Sequence, residues 1–360
     1  MFSLSPPSHR DQTIIGMAQQ YLSLQVLLWT DAAVYFSGPA SIWNLRSPDA
    51  APHRLATTPL PWLYRGAARW RLLRRAGRLD LREMMQLPTG GLLTISQKQI
   101  LALDPNSGAI RRVFQVPEGG RPRGLARAPS GHLFVGEYWG NPRRRPLRIW
   151  MSSDNGDTWE LVHTLPGGSA KHIHNIIWDP YRLGLWVLTG DSDHECALLF
   201  TDDEFKTVQE VIRGNQMVRA CRLFCRPEGL YYGSDTERAP NWFVHLEVQT
   251  GKLHKIQPLP GSCMYMAHMA DRYWLTTAVE PSGVKHDPTT ALWSSADLHH
   301  WTKVVAFEKD AWPGEYLGFS RIKLPRIQGT CPVVIFSTVA VKHYDLSTFV
   351  LKPEALGRIL

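Results

Sequence analysis

Short apolar runs recur along the chain: Leu133-Phe134-Val135, Leu185-Trp186-Val187, Leu230-Tyr231-Tyr232 and Tyr273-Trp274-Leu275. Three of them follow a turn near proline, at Ala128-Pro129, Asp179-Pro180 and Arg226-Pro227. Runs of this length, rich in aromatic and branched residues and bounded by turn formers, predict strands. Beyond each run comes a loop, then two more strands joined by a polar hairpin turn. The hairpin turns fall at 104, 154, 203, 249, 297 and 345, in steps of 50, 49, 46, 48 and 48 residues. Four short strands per repeat predict an all-β protein, a β-propeller of four-stranded antiparallel blades. A further turn near Ser47-Pro48-Asp49 follows two expected strands, Ala33–Ser37 and Ser41–Leu45. Seven blades are favoured, with six as the alternative, in a single domain spanning 1–360.

One turn carries a recognisable motif. Ser152-Ser153-Asp154-Asn155-Gly156-Asp157-Thr158-Trp159 reads S-x-D-x-G-x-T-W. Thr201–Val208 is a degenerate copy that keeps Asp203, and Ser295–Trp301 is a shorter one around Asp297. This motif resembles the Asp-box (BNR) repeat of sialidase-like propellers. The resemblance implies that the Asp and Gly shape a tight turn and the Trp packs back on its sheet. It implies structural rather than catalytic duty for Asp154, Asp203 and Asp297, which would sit on the face away from ligands. Sialidases also carry an arginine triad, a Tyr nucleophile paired with a Glu, and an acid/base Asp. Arg123, Arg219, Arg321 and Tyr316 would have to fill those roles, but the F/Y-R-I-P arginine motif is absent, so sialidase activity is not expected.

Lettering the strands of a blade A (inner) to D (outer), the D–A and B–C connections share one face of the ring. Four consecutive B–C loops bring acids to it: Glu137; Asp191, Asp193 and Glu195; Asp235 and Glu237; and Glu280. The D–A segments bring Arg121 and Arg123, Lys171-His172-Ile173-His174, Arg219, Tyr265 with His268, and Tyr316. His172 and His174 point the same way if extended, as acid–base work or metal binding requires. Candidate catalytic residues are therefore Glu137, His172, His174, Asp191, Asp235 and Glu237. Candidate substrate contacts are Arg123, Tyr138, Asp193, Arg219, Tyr265, Glu280 and Tyr316. No cofactor is expected, although His172, His174 and Asp191 could hold a divalent metal.

Charge sharpens this picture. The net charge is +8, but residues 61–78 hold six arginines and no acid, which leaves the remainder at +2. Nucleic-acid binding is therefore not expected. The Arg-rich segment, residues 61–80, reads as a helical insertion between the first two blades, with Arg71, Arg74, Arg75 and Arg78 on one side. Such a face suits an anionic membrane surface or an acidic partner. The alternative is a solvated insertion packed by its Trp and Leu side chains. Five cysteines without a CxxC pair, and no apparent secretory signal, suggest a cytoplasmic protein with reduced thiols, peripheral to the inner membrane surface if the insertion docks there. Fourteen tryptophans suit wide β faces and sugar-binding surfaces.

Two carboxyls flanking a glycosidic bond can supply acid and base, and aromatics stack sugar rings. The sequence therefore points to a carbohydrate-active propeller, a glycoside hydrolase or lyase of an acidic or bacterial surface glycan. The alternative is a non-catalytic platform in a membrane-associated polysaccharide-assembly complex, docked through the insertion.

Overall fold

The computed structural model describes residues 9–47, 50–118, 120–280 and 287–359. They form a ring of seven blades. From A to D the first is Gln25–Thr30, Val34–Gly38, Ser41–Leu45 and His53–Thr57. The second runs Met84–Gln86 to Ile110–Gln115, the third Arg123–Arg127 to Glu160–Leu165, and the fourth His172–Asp179 to Gln209–Arg213. The fifth is Phe224–Arg226 to Lys252–Leu259, and the sixth Ser262–Met269 to Thr302–Glu308. The seven-blade count is the one favoured from the repeat.

The last blade is assembled from both ends of the chain. Arg321–Lys323, Val334–Val339 and Ser347–Leu351 supply A to C, and Gln19–Leu22 from the N-terminus supplies D. Gln19 pairs with Val350 and Leu22 with Ser347, antiparallel. The turn at 344–347 therefore joins B to C in this blade, not C to D as its spacing predicts. A further short strand, Arg326–Gln328, crosses to blade one and runs parallel to its inner strand.

Burial explains the apolar pattern. The B strand Gly184–Gly190 is buried throughout, because each blade is covered by its two neighbours. The outer strand Gln209–Arg213 is partly exposed at the rim. Between blades the core is aromatic: Trp186, Tyr232, Phe243 and Trp301 share one cluster, and Phe36, Trp274, Phe336 and Phe349 another.

The Asp turns lie between C and D strands and do structural work. Asp154 accepts from Thr158 N (2.9 Å), Thr158 Oγ1 (2.6 Å) and Ser152 Oγ (2.8 Å). These donors hold its carboxyl down at about 2. Trp159 Nε1 donates to the Gly156 carbonyl at 3.0 Å. Gly156 has φ +91° and lies so close to Leu93 that a Cβ would stand 2.7 Å from Cδ1. Asp203 repeats the bonds with Thr207 and Thr201, and Phe205 packs on Phe134. Asp49, in the first expected turn, lies outside the described residues.

The insertion departs from expectation. It forms two short helices, Trp62–Ala67 and Arg71–Ala76, rather than one over 62–78. Two of the four arginines on its expected face turn inward, while Arg71 and Arg78 stay exposed. Arg74 is 2% exposed and grips Asp80 through Nε at 3.0 and 3.1 Å. Arg75 is buried between Asp310 and Asp345, the latter at 2.8 Å, and donates to the Leu317 carbonyl. An isolated guanidinium is too costly to bury, so those carboxylates select this orientation. Arg74 and Arg75 cannot face a membrane. No helix among the described residues is long and apolar enough to cross one.

Closure through the N-terminus makes a clear prediction. Tyr21 is buried against Phe36, with ring centroids 5.9 Å apart. Tyr21→Ala should cost about 3 kcal/mol in denaturant unfolding, the usual scale for removing a buried aromatic. Unchanged stability would mean that this strand is dispensable to the ring.

Candidate active site

The D–A and B–C connections surround a pocket of about 570 Å³ at one end of the ring axis, lined by residues from all seven blades. Of the residues singled out in the sequence, it gathers Arg123, Tyr138, His172, His174, Asp191, Arg219, Asp235, Glu237, Tyr265 and Glu280. Others fall elsewhere. Glu137 is fully buried behind the wall, accepting from Arg148 N at 3.1 Å. Asp193 is on the outer side, accepting from Gln216 Nε2. Tyr316 stands 69% exposed outside the pocket, and His268 is exposed against Tyr273. Without Tyr316, the sialidase-type set does not assemble.

One pole of the pocket is built from carboxyls and imidazoles. The inner strand of blade four opens with His172 and His174, whose rings lie 4.9 Å apart. Gly190 on the neighbouring strand makes room: a Cβ there would stand 2.7 Å from His174 Cε1. His172 Nδ1 is 3.1 Å from the Trp139 carbonyl and His174 Nδ1 is 3.0 Å from the Ala220 carbonyl. Both Nε2 atoms face Asp191 Oδ1, at 3.2 and 3.4 Å. Each ring thus meets an oxygen acceptor at both nitrogens, while a neutral imidazole carries one proton. Burial pushes the His172 imidazole down to about 4. Burial alone would raise Asp191, but the two histidines and Arg219 outweigh it and hold the carboxyl far below its ordinary range. These two Nε2 atoms and one Asp191 oxygen lie within 4.8 Å of one another, a donor set that fits a divalent cation.

Arg219 ties this group to the next. Its guanidinium lies 3.0 Å from Asp191, 3.3 Å from Glu237 and 3.6 Å from Asp235. Asp235 Oδ2 accepts from the Cys221 thiol at 3.2 Å, while Oδ1 is buried without a partner among the described residues. Burial pushes the Cys221 thiol well up, as befits an inert wall residue. Glu280 completes the pole. Burial, then the neighbouring Asp235, pushes its carboxyl up to about 8, so it stays protonated at neutral pH.

The opposite pole is cationic. Arg78, Arg82, Arg121, Arg123, Arg321 and Lys323 line it around Tyr138 and Tyr265. Arg123 stacks on Tyr138 at 4.3 Å, and Tyr138 stacks on His172 at 4.0 Å. Burial, then the neighbouring Arg78 and Arg123, lowers Arg121 to about 10. Lys323 is lowered by burial. On the axis, Glu83 accepts from the backbone of Gly124 and Leu125 and pairs with Arg222 (2.6 Å) and Arg326 (3.5 Å). Burial opposes its charge, but the two arginines hold it at about 2.

Sequence reasoning missed Arg82, Glu83, Arg222 and Lys323. Arg82 lies two residues before the inner strand Met84–Gln86, and Lys323 ends the inner strand Arg321–Lys323. Recognising the three-residue inner strand of blade two would have brought Arg82 and Glu83 to the same face, whereas Lys323, at the far end of its strand, has no such positional signal.

No protein-family model and no curated relative matches the chain. Solved structures do share its fold. Oligogalacturonate lyase from Vibrio parahaemolyticus is 11% identical, with TM-score 0.60, over 94% of this chain and 92% of that one. A structure of oligogalacturonate lyase in complex with manganese is 10% identical, with TM-score 0.59, over 94% and 99%. The GH74 xyloglucanase of Xanthomonas campestris is 15% identical, with TM-score 0.59, over 90% of this chain and 52% of that one. At such identities the likeness defines a seven-bladed propeller and no more.

Glu280 gives a direct test of the site electrostatics. Its folded value of about 8 lies above the ordinary 4.5, so the folded state binds the extra proton between them. Its contribution to stability is full below about 4.5 and is lost as pH rises to 8. Glu280→Gln should therefore be more stable than wild type at pH 8, with the difference vanishing near pH 4.5. Parallel profiles would contradict the assignment.

Proposed function

We propose that the protein is a carbohydrate-active propeller that cleaves an acidic glycan in the axial pocket. The observation that carries this reading is the split of the pocket into a cationic pole and a carboxyl pole holding one protonated acid. Cations hold the anionic substituent of the sugar, and Glu280 presents a proton to the leaving oxygen. Asp235, beside it, is the partner carboxyl, and Arg219 orients Asp191, Asp235 and Glu237. Environments that push neighbouring carboxyls in opposite directions, as at Glu280 and Asp191, are the usual basis for dividing acid and base duties. Structural neighbours that act on polysaccharides agree with this reading.

A divalent metal fits His172, His174 and Asp191, where it would displace Arg219 from Asp191 Oδ1. When bound, it would act as a Lewis acid toward a substrate oxygen. Electron paramagnetic resonance of added Mn²⁺ should report protein-bound ion in wild type and little in His172→Ala/His174→Ala. Equal binding would remove the metal from this site.

Glu280 can protonate the leaving oxygen in either hydrolysis or elimination, so the products decide between them. Incubation with acidic oligosaccharides should yield shorter chains, with rates reduced about 10²-fold or more in Glu280→Gln and Asp235→Asn. Ultraviolet absorbance from a new conjugated double bond would mark a lyase, and a new reducing end without it a hydrolase. No shortening of any acidic glycan, with or without Mn²⁺, would overturn the reading.

A second reading rests on the insertion surface. Trp62, Leu63, Tyr64, Trp70 and Leu73 are exposed, the two tryptophans at 78% and 70%, beside exposed Arg65, Arg69 and Arg71. Amphipathic aromatics among arginines suit an anionic lipid surface, so the propeller would sit on the cytoplasmic side of a membrane. The five unpaired cysteines support a cytoplasmic setting. Vesicles containing anionic lipid should sediment the wild type but not Trp62→Ala/Trp70→Ala. Equal sedimentation would leave the insertion as packing alone.

A further inference from the structure

The cationic pole holds more charge than one carboxylate can use. Arg78, Arg82, Arg121, Arg123, Arg321 and Lys323 line it, and none makes an ion pair among the described residues. The nearby carboxylates are already engaged: Asp80 by Arg74, and Glu83 by Arg222 and Arg326. Lys323 is 6% exposed, and Arg121 Nη1 is buried with no acceptor among the described residues. Buried cationic donors without partners are expensive, and a structure keeps them where a ligand supplies the acceptors.

Geometry also distinguishes the anion. The donors come from separate directions around the axis: Arg78 from the insertion, Arg82 from blade two, Arg121 and Arg123 from blade three, Arg321 and Lys323 from blade seven. A carboxylate offers two oxygens in one plane, which a single bidentate guanidinium can occupy. A tetrahedral phosphoryl group offers three free oxygens pointing apart and up to two negative charges. Arginine forks and a point-charge lysine are the usual partners for such a group.

We propose that the cationic pole is a subsite for a phosphoryl group, a phosphate monoester or pyrophosphate carried by the glycan substrate, rather than for a uronate carboxylate. This rests on the reading of the pocket as a substrate site, and it narrows the acidic glycan to a phosphorylated one. The carboxyl pole then faces the sugar, while the phosphoryl group anchors it.

Isothermal titration of the full chain with inorganic phosphate, pyrophosphate, a sugar 1-phosphate, sulfate and trigalacturonate tests the subsite independently of turnover. Pyrophosphate and the sugar phosphate should bind at least about tenfold more tightly than trigalacturonate, with affinity falling steeply with salt. Preference for the sugar phosphate over both inorganic anions would identify a sugar-borne group, and the reverse a free anion; either result supports the phosphoryl subsite. Arg121→Gln and Lys323→Met should each lose about tenfold or more in affinity. Arg78→Gln, at the exposed mouth, tests the same pole with less risk to folding. Arg65→Gln, an equal charge change on the outer insertion, should leave affinity unchanged. Equal or tighter binding of trigalacturonate, or an equal loss in Arg65→Gln, would overturn the proposal. Phosphoryl binding without cleavage of any glycan would leave the subsite standing while the enzymatic reading fell.

Discussion

Circular closure is the constraint on which the rest of this molecule depends. Seven sheets complete a ring only when the C-terminal strand Ser347–Leu351 is flanked by Gln19–Leu22 from the other end of the chain. That pairing completes the last blade, whose outer edge is then the N-terminal strand Gln19–Leu22. Once the ring is fixed, every D–A and B–C connection must arrive at the same end of one axis. Residues from 25 to 346 then share a pocket that no local segment could build.

The inner edge of such a ring is crowded with charge, and its order comes from pairing across blades. Glu83 of blade two reaches Arg222 of blade five and Arg326 beside blade one. Arg75 of the insertion joins Asp310 and Asp345 from two further connections. These pairs satisfy each other and leave a separate set of cations unanswered. The pocket is therefore asymmetric: one wall holds a protonated carboxyl and paired acids, and the other presents cations that make no ion pair among the described residues. That asymmetry orients an anionic ligand before any chemistry occurs.

Turn chemistry made the fold legible in the sequence. The Asp154 turn uses an acceptor, a residue at positive φ and an aromatic in fixed order, and its copies at Asp203 and Asp297 keep the acceptor with Phe205 and Leu298 at positive φ, so they mark the blades. Spacing alone misled at Asp345, because the last blade borrows its outer strand and its B–C turn falls where another C–D turn is due. The acids of the B–C loops were legible by position, but not by direction. Glu137 and Glu280 occupy equivalent loops, yet one is tied to Arg148 N behind the wall and the other faces the pocket. Arg74 and Arg75 looked like a surface face because their partners, Asp80, Asp310 and Asp345, are named only by the fold. His172 and His174 were legible because alternation in a strand is a local property.

On the proposed reading, substrate lies across the two poles, anion toward Arg121, Arg123 and Lys323, and scissile bond toward Glu280 and Asp235. A crystal structure of Glu280→Gln soaked with a phosphorylated acidic oligosaccharide tests this placement. The anionic group is expected within hydrogen-bonding distance of Arg121 and Arg123, and a glycosidic oxygen beside residue 280. An oligosaccharide bound on the outer blade surface, or lying in the pocket with its anion toward Asp191 and Glu237, would contradict it.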